Sequence, residues 1–178
     1  MVNMNAEIIQ KMKPKVNTTK DKGSSPRYVI LDTETTGISH REHKIIEIGC
    51  VEIINNKLTG REYVQRINPE RDIDAGAFRV HNISFEELRD CPVFSEIKDE
   101  FLDFIKGSEL IIHNATFDIN FLNKELRECD SFDISQSVKG VIDTVKLSRK
   151  LLPEERSHRL DALCNKFKID KSTREFHG

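Results

Sequence analysis

No stretch of this 178-residue chain approaches the roughly 18 consecutive apolar residues that a membrane-spanning helix needs. The first 26 residues have no apolar segment of the kind that leads a secretory signal, so export is not expected. Cysteine is sparse and scattered. Cys50, Cys91, Cys129 and Cys164 form no C-x-x-C pair, which removes the usual spacing of a structural zinc site. Cys50 lies in an apolar strand-like run, and Cys164 falls on a helical stripe with Leu160, Leu163 and Phe167. Both read as small core hydrophobes in a reducing cytoplasm. There is no internal repeat and no low-complexity tract. A net charge of −2 lacks the broad basic excess of a protein that coats nucleic acid, though an enzyme that meets nucleic acid through metal ions remains compatible with it.

What is present suits one folded domain. With 37% hydrophobic residues, a chain of this length can bury about 70% of its unfolded surface without disulfide or metal staples. The charge is unevenly spread. Residues 1–26 hold five lysines against Glu7 and Asp21, a balance of +3 that leaves −5 on the remaining 152 residues. The expected organisation is a flexible basic N-terminal arm over residues 1–26 and a single domain over residues 27–178, beginning after the Gly-Ser-Ser-Pro punctuation.

Tyr28-Val29-Ile30-Leu31 is a short buried-strand run ending in the polar Asp-Thr-Glu-Thr-Thr-Gly. Lys44 to Ile54 and Leu58 to Ile67 read as two further strands joined at Asn55-Asn56-Lys57, so the three predict an antiparallel meander. Helices follow. Ser84 and Glu87 form a capping box for a short helix to about Arg89. Phe94, Ile97, Phe101, Phe104 and Ile105 mark an amphipathic helix that Gly107 ends. Leu110-Ile111-Ile112 is a fourth strand, Phe117 to Arg127 a helix, Val141-Ile142 a fifth strand. Helices from Thr144 to about Leu152 and from Leu160 to Phe167 complete the order. Meander, then helix–strand–helix–strand–helix, predicts a layered α/β domain.

The local feature with most chemistry is Asp32-Thr33-Glu34. Residues i and i+2 of a strand share a face about 6.5–7 Å apart, so the two carboxylates project together and repel. A divalent cation bound through oxygen, magnesium or manganese, relieves that repulsion; the plain alternative is a solvated strand end. His113-Asn114-Ala115-Thr116-Phe117-Asp118 follows the fourth strand and opens a helix, where open α/β sheets gather functional residues. On its own Asp118 reads as complementing the helix dipole, with Asn114 or Thr116 as N-cap; its place after a second central strand makes it a candidate partner for Asp32 and Glu34. Asp143 reads as an N-cap. Glu47, inside an apolar strand, needs a partner the sequence does not identify. His177, near the end, has no local context of its own.

Taken in order, these residues resemble the His-type DEDD exonucleases. The segments ILDTETTG, HKIIEIG, NNKLTG, FRVHNIS, ELIIHNATFDI, SHRLDALC and REFHG are similar to the epsilon proofreading subunits of bacterial DNA polymerase III, over about Tyr28 to Gly178. The resemblance implies a ribonuclease-H-like fold, with a five-stranded mixed sheet flanked by helices, and a two-metal 3′→5′ DNA exonuclease using Mg2+ or Mn2+. It implies that Asp32, Glu34 and Asp118 are metal ligands, Asp118 directly or through water, and that His177 is the general base. It also implies that Thr35 and His81, with Asp32 and Glu34, contact the substrate. Its partners are a frayed or single-stranded 3′ DNA end and a polymerase catalytic subunit in a bacterial cytoplasm, at the nucleoid. Asn82 stands where the family usually has Gly, which is tolerable because Asn accepts a left-handed backbone. Gly76 stands where it often has Glu, and His158 and Asp161 fall on structural positions.

In the family the His is followed five residues later by a fourth acid, which here is position 182, beyond Gly178. The expectation is therefore a domain truncated before its final helix, with weak or no exonuclease activity and at best partial metal binding in these 178 residues. Two alternatives accompany the main one: another His-type exonuclease acting on RNA or short DNA ends, and a non-catalytic interaction module.

Overall fold

A computed structural model describes residues 25–169. Residues 1–24 of the predicted arm, and His177, lie outside the described residues. The first strand, β1 (Arg27–Thr35), runs antiparallel to β2 (Ile45–Ile54), which runs antiparallel to β3 (Lys57–Arg66). Asn55 and Asn56 both take positive φ, 54° and 59°, so this pair makes the tight β2–β3 turn that the sequence signalled. The helices α1 (Ala75–His81), α2 (Phe85–Leu88) and α3 (Phe94–Ile105) follow. Then come β4 (Glu109–Ile112), α4 (Ala115–Glu128), a 3-10 turn at Ile134–Gln136, β5 (Gly140–Asp143), α5 (Thr144–Leu151) and α6 (Leu160–Phe167). The sheet order is β3-β2-β1-β4-β5, with β4 and β5 parallel to β1. The expected mixed five-stranded sheet is present, and no described helix is long and apolar enough to cross a membrane.

Local chemistry explains most boundaries. Ser84 accepts from the Glu87 N–H while the Glu87 carboxylate takes the Ser84 N–H, the capping box read from the sequence. Asp143 caps α5 by accepting from the Val145 and Lys146 N–H groups. The residues α3 turns inward, among them Phe94, Ile97, Phe101 and Ile105, join Val29, Leu31, Leu110, Phe121 and Leu122 in the main core on one face of the sheet. Gly107 follows at φ +69°, a left-handed turn that glycine takes without steric cost. Cys50 and Cys164 are both fully buried, as expected of small core hydrophobes.

Three expectations need correction. The polar run after Leu31 does not leave the sheet: β1 continues to Thr35, with Asp32, Thr33, Glu34 and Thr35 all buried. Pairing to β2 through Thr35 holds these residues extended and excludes the solvated strand end. Secondly, the segment carrying Phe78 and His81, for which the sequence reading offered no helix, forms α1, closed by Asn82 in the left-handed conformation at φ 55°. Thirdly, α4 has Asn114 at its N-cap position, but in a left-handed conformation with no side-chain capping bond; Thr116 lies inside the helix.

Candidate active site

The site grows from a mismatch in strand length. Parallel pairing of β1 with β4 stops at Ile30↔Ile111, whereas β1 runs on to Thr35. Beyond that point the β4 side of β1 offers backbone groups with no strand to receive them. Asp118, in the first turn of α4, fills the gap. Its Oδ1 accepts from the Thr33 N–H at 3.1 Å and the Thr33 Oγ1 hydroxyl at 2.8 Å. Asp118 is therefore a buried carboxylate docked on the strand that carries Asp32 and Glu34, rather than a group that merely answers the helix dipole.

The electrostatics follow from burial and crowding. Loss of water pushes the Glu34 carboxyl up to about 8, and the neighbouring charges of Asp32, Glu47 and Asp118 add to the shift. Asp118 is raised as well, first by burial and then by Asp32, against the hydrogen bonds from Thr33 that hold it down. Glu34 Oε1 is buried and has no hydrogen-bond partner among the described residues. An oxygen in that condition costs free energy unless something electropositive reaches it. Among the described residues no three His, Cys, Asp or Glu side chains form a ready-made metal cluster. The donor set nonetheless fits a hard divalent cation. It is all oxygen, excess in negative charge, and contains an orphaned buried acceptor beside a second carboxylate on the same strand face.

Around this centre the structure supplies partners that the sequence left open. Glu47 stands directly across the strand pair from Glu34 and is bound by Arg66, with Nε to Oε2 at 3.1 Å. The β1–β2 loop returns through His43, whose Nδ1 lies 3.1 Å from Thr36 Oγ1 and whose Nε2 lies 3.5 Å from Asp74 Oδ2, just ahead of α1. A Cβ added at Gly37 would lie 2.3–2.6 Å from three atoms of the His43 ring. Gly37→Ala is accordingly expected to push His43 off Thr36 and cost about 1–3 kcal/mol, read as a lower urea midpoint at unchanged m-value. An unchanged midpoint would show that the ring moves freely.

The remaining predicted residues are placed as follows. Thr35 is buried at the end of β1, its hydroxyl donating to the Gly37 carbonyl. His81 closes α1 in the interior, with Nδ1 accepting from the Ile83 N–H at 3.0 Å. His113 lies 2.8 Å through Nδ1 from Thr144 Oγ1, and burial lowers its pKa. His158 contacts Ser148 Oγ, in keeping with a structural role. An open groove of about 560 Å³ lies on another side of α4, lined by Thr116, Asn120, Lys146 and Lys150 among others; none of Asp32, Glu34 and Asp118 lines it. Sequence reasoning missed His43, Lys44 and Glu125, because their partners are brought to them only by the fold.

The fold is that of the ribonuclease-H-like class of nucleases, and the family profile described as "Exonuclease" matches residues 29–178. Exonuclease X, solved in complex with 5′ overhanging duplex DNA, is 27% identical with a TM-score of 0.64, over 82% of this chain and 76% of that one. Exonuclease I in a product-bound structure shares the fold at a TM-score of 0.74 and 14% identity, over 84% of this chain and 40% of that one. The DNA polymerase III subunit epsilon of Rickettsia conorii is 50% identical over 157 residues, 87% of this chain and 68% of that protein. That of Escherichia coli K12 is 46% identical over 159 residues, 85% of this chain and 65% of that protein. The chain belongs to the exonuclease family that includes the epsilon subunits of bacterial DNA polymerase III.

Proposed function

We propose that this chain is a proofreading 3′→5′ DNA exonuclease that removes mispaired terminal nucleotides for a replicative polymerase, as nucleoside 5′-monophosphates. The observation that carries the reading is the buried, partnerless Glu34 Oε1 beside Asp32, with Asp118 docked on the same strand.

Asp32, Glu34 and Asp118 would hold two divalent cations, Mg2+ or Mn2+. When bound, such a pair activates the attacking water and stabilises the leaving 3′-oxygen. The chain's own residues do the rest. Asp32 and Glu34 gather negative charge in a buried site, so cation binding is driven by relief of their repulsion. Thr33 fixes Asp118 through two hydrogen bonds, so this carboxylate needs no reorientation before reaction. His177 would take the proton of the attacking water as general base. Thr35 and His81 would contact the terminal nucleotide. Selectivity for mispaired ends needs little base recognition, since a mismatched terminus frays more readily and presents a single strand.

The test is digestion of 3′-labelled single-stranded DNA by micromolar protein with Mn2+, alongside the same sequence as RNA and a 5′-labelled control. The expected result is release of labelled 5′-mononucleotide from the DNA 3′ end, faster from a mismatched than a matched duplex terminus. Preference for RNA would transfer the chain to the other His-type exonucleases. Binding of DNA without any cleavage would make it an interaction module.

A further inference from the structure

We propose that Glu125 is a positioning residue that sets where Asp118 stands relative to Glu34, by clamping α4 to the irregular turn of β2. The proposal deepens the reading of Asp32, Glu34 and Asp118 as one site and rests on it in part.

Glu125 lies seven residues after Asp118 on α4, about 10.5 Å along the axis and almost on the same helix face. Both carboxylates are buried, and both reach backbone N–H groups of the sheet. Asp118 takes Thr33 of β1. Glu125 Oε1 takes the Ile45 N–H of β2 at 3.0 Å, and its Oε2 accepts from Lys44 Nζ at 3.2 Å. Lys44 also bonds Glu128, and Lys124 Nζ reaches Glu128 Oε1 and the His43 carbonyl, each at 3.2 Å. The helix is thus pinned at two points, one on each of the paired strands.

The second pin falls where β2 is irregular. Glu34 pairs with Glu47 but Thr35 pairs with Ile45, so the register shifts by one residue between them. The shift aims the end of β1, and Glu34 with it. A carboxylate that holds Ile45 therefore ties Asp118's helix to the residue of β2 that pairs with Thr35, across the register shift from Glu34. Helix α4 is long enough, at 14 residues, to carry a displacement at Glu125 to Asp118 as a rigid body. General stabilisation by a buried ion pair predicts that charge is what matters. Positioning predicts that reach is what matters, because the Ile45 contact depends on side-chain length.

Two substitutions separate these. Glu125→Gln keeps the length and the acceptor but removes the charge, whereas Glu125→Asp keeps the charge and shortens the side chain. The readouts are amide hydrogen exchange at Thr33, whose N–H meets Asp118, and Mn2+ affinity by calorimetry. Glu125→Asp is expected to speed Thr33 exchange and weaken Mn2+ binding, each by about tenfold, with Ile30 and Leu110 in the sheet core unchanged. Glu125→Gln is expected to stay within about threefold of the parent in both. Lys44→Met, which preserves the Ile45 contact, is expected to behave like Glu125→Gln. It decides the matter if the aspartate variant does not fold. The proposal is overturned if Thr33 is unaffected in Glu125→Asp, if exchange rises equally across the sheet, or if Glu125→Gln or Lys44→Met deprotects Thr33. Failure of the parent chain to bind Mn2+ would instead count against the metal-site reading, leaving Thr33 exchange to judge the clamp.

Discussion

Asp118→Asn is expected to reduce release of nucleotides from a 3′ DNA end by a factor of about 10²–10³, while leaving the protein folded and more stable at pH 8. The two effects have one cause. The asparagine keeps an oxygen where Asp118 Oδ1 accepts from Thr33, so the link between α4 and β1 survives. What disappears is a negative charge that burial and Asp32 make costly, and that charge is the one a divalent cation needs. A variant that loses activity because it unfolds moves the other way in a thermal melt. Measuring 3′-end cleavage and Tm on the same samples checks both halves. Full activity in Asp118→Asn would remove Asp118 from the site.

The second large effect is on stability against pH. The folded-state pKa of Glu34, at about 8, lies above its value in the unfolded chain, near 4.3. Below about pH 4 both states hold the proton. Between the two values the folded state keeps a proton that the unfolded state has released, so stability falls as pH rises and the loss is complete above about pH 8. Asp118, also raised, acts in the same direction. His113, lowered by burial, acts oppositely, but only below about pH 6.5. From pH 6.5 to 8.5 the two carboxylates dominate, and the metal-free protein is expected to lose about 2–3 kcal/mol, or roughly 5–10 °C in Tm. Mn2+ at about a hundred times its dissociation constant is expected to restore some 2.7 kcal/mol at pH 8.5. Glu34→Gln is expected to flatten the pH slope. A slope that persists unchanged in that variant, or a Tm indifferent to Mn2+, would contradict the electrostatic account of the site.

The site was unevenly legible. Asp32 and Glu34 stand out in sequence because period-two spacing on a strand is a local property, readable without knowing any partner. Asp118 could be flagged from its place after an apolar strand, but not linked to Thr33, since 85 residues separate them. Glu47 was recognisable as a problem, a charge in an apolar run; its solution, Arg66, came from strand pairing. Glu125 carried no signal at all, and His43 stood out only as part of the HKIIEIG segment, with no role of its own. A carboxylate in a polar helix and a histidine in a loop are ordinary until the fold places Ile45 against one and Gly37 against the other. The helix Ala75–His81 was missed for a similar reason. Its N-cap residue, Asp74, makes no side-chain capping bond and is held instead by its own N–H, which donates to the Thr36 carbonyl.

By itself, the sequence determined the order of strands and helices apart from Ala75–His81, the turn at Asn55-Asn56, the caps at Ser84 and Asp143, and the pair Asp32 and Glu34. Each of these depends on side chains within a few residues of one another, where chain geometry alone dictates who meets whom. Only the tertiary structure decided that β1 outruns β4, that Asp118 occupies the space so opened, and that burial raises the pKa of Glu34 and Asp118. Desolvation and strand-length mismatch are properties of what surrounds a residue. They come into being when the sheet and α4 pack together, and with them the crowding of negative charge that a cation would balance.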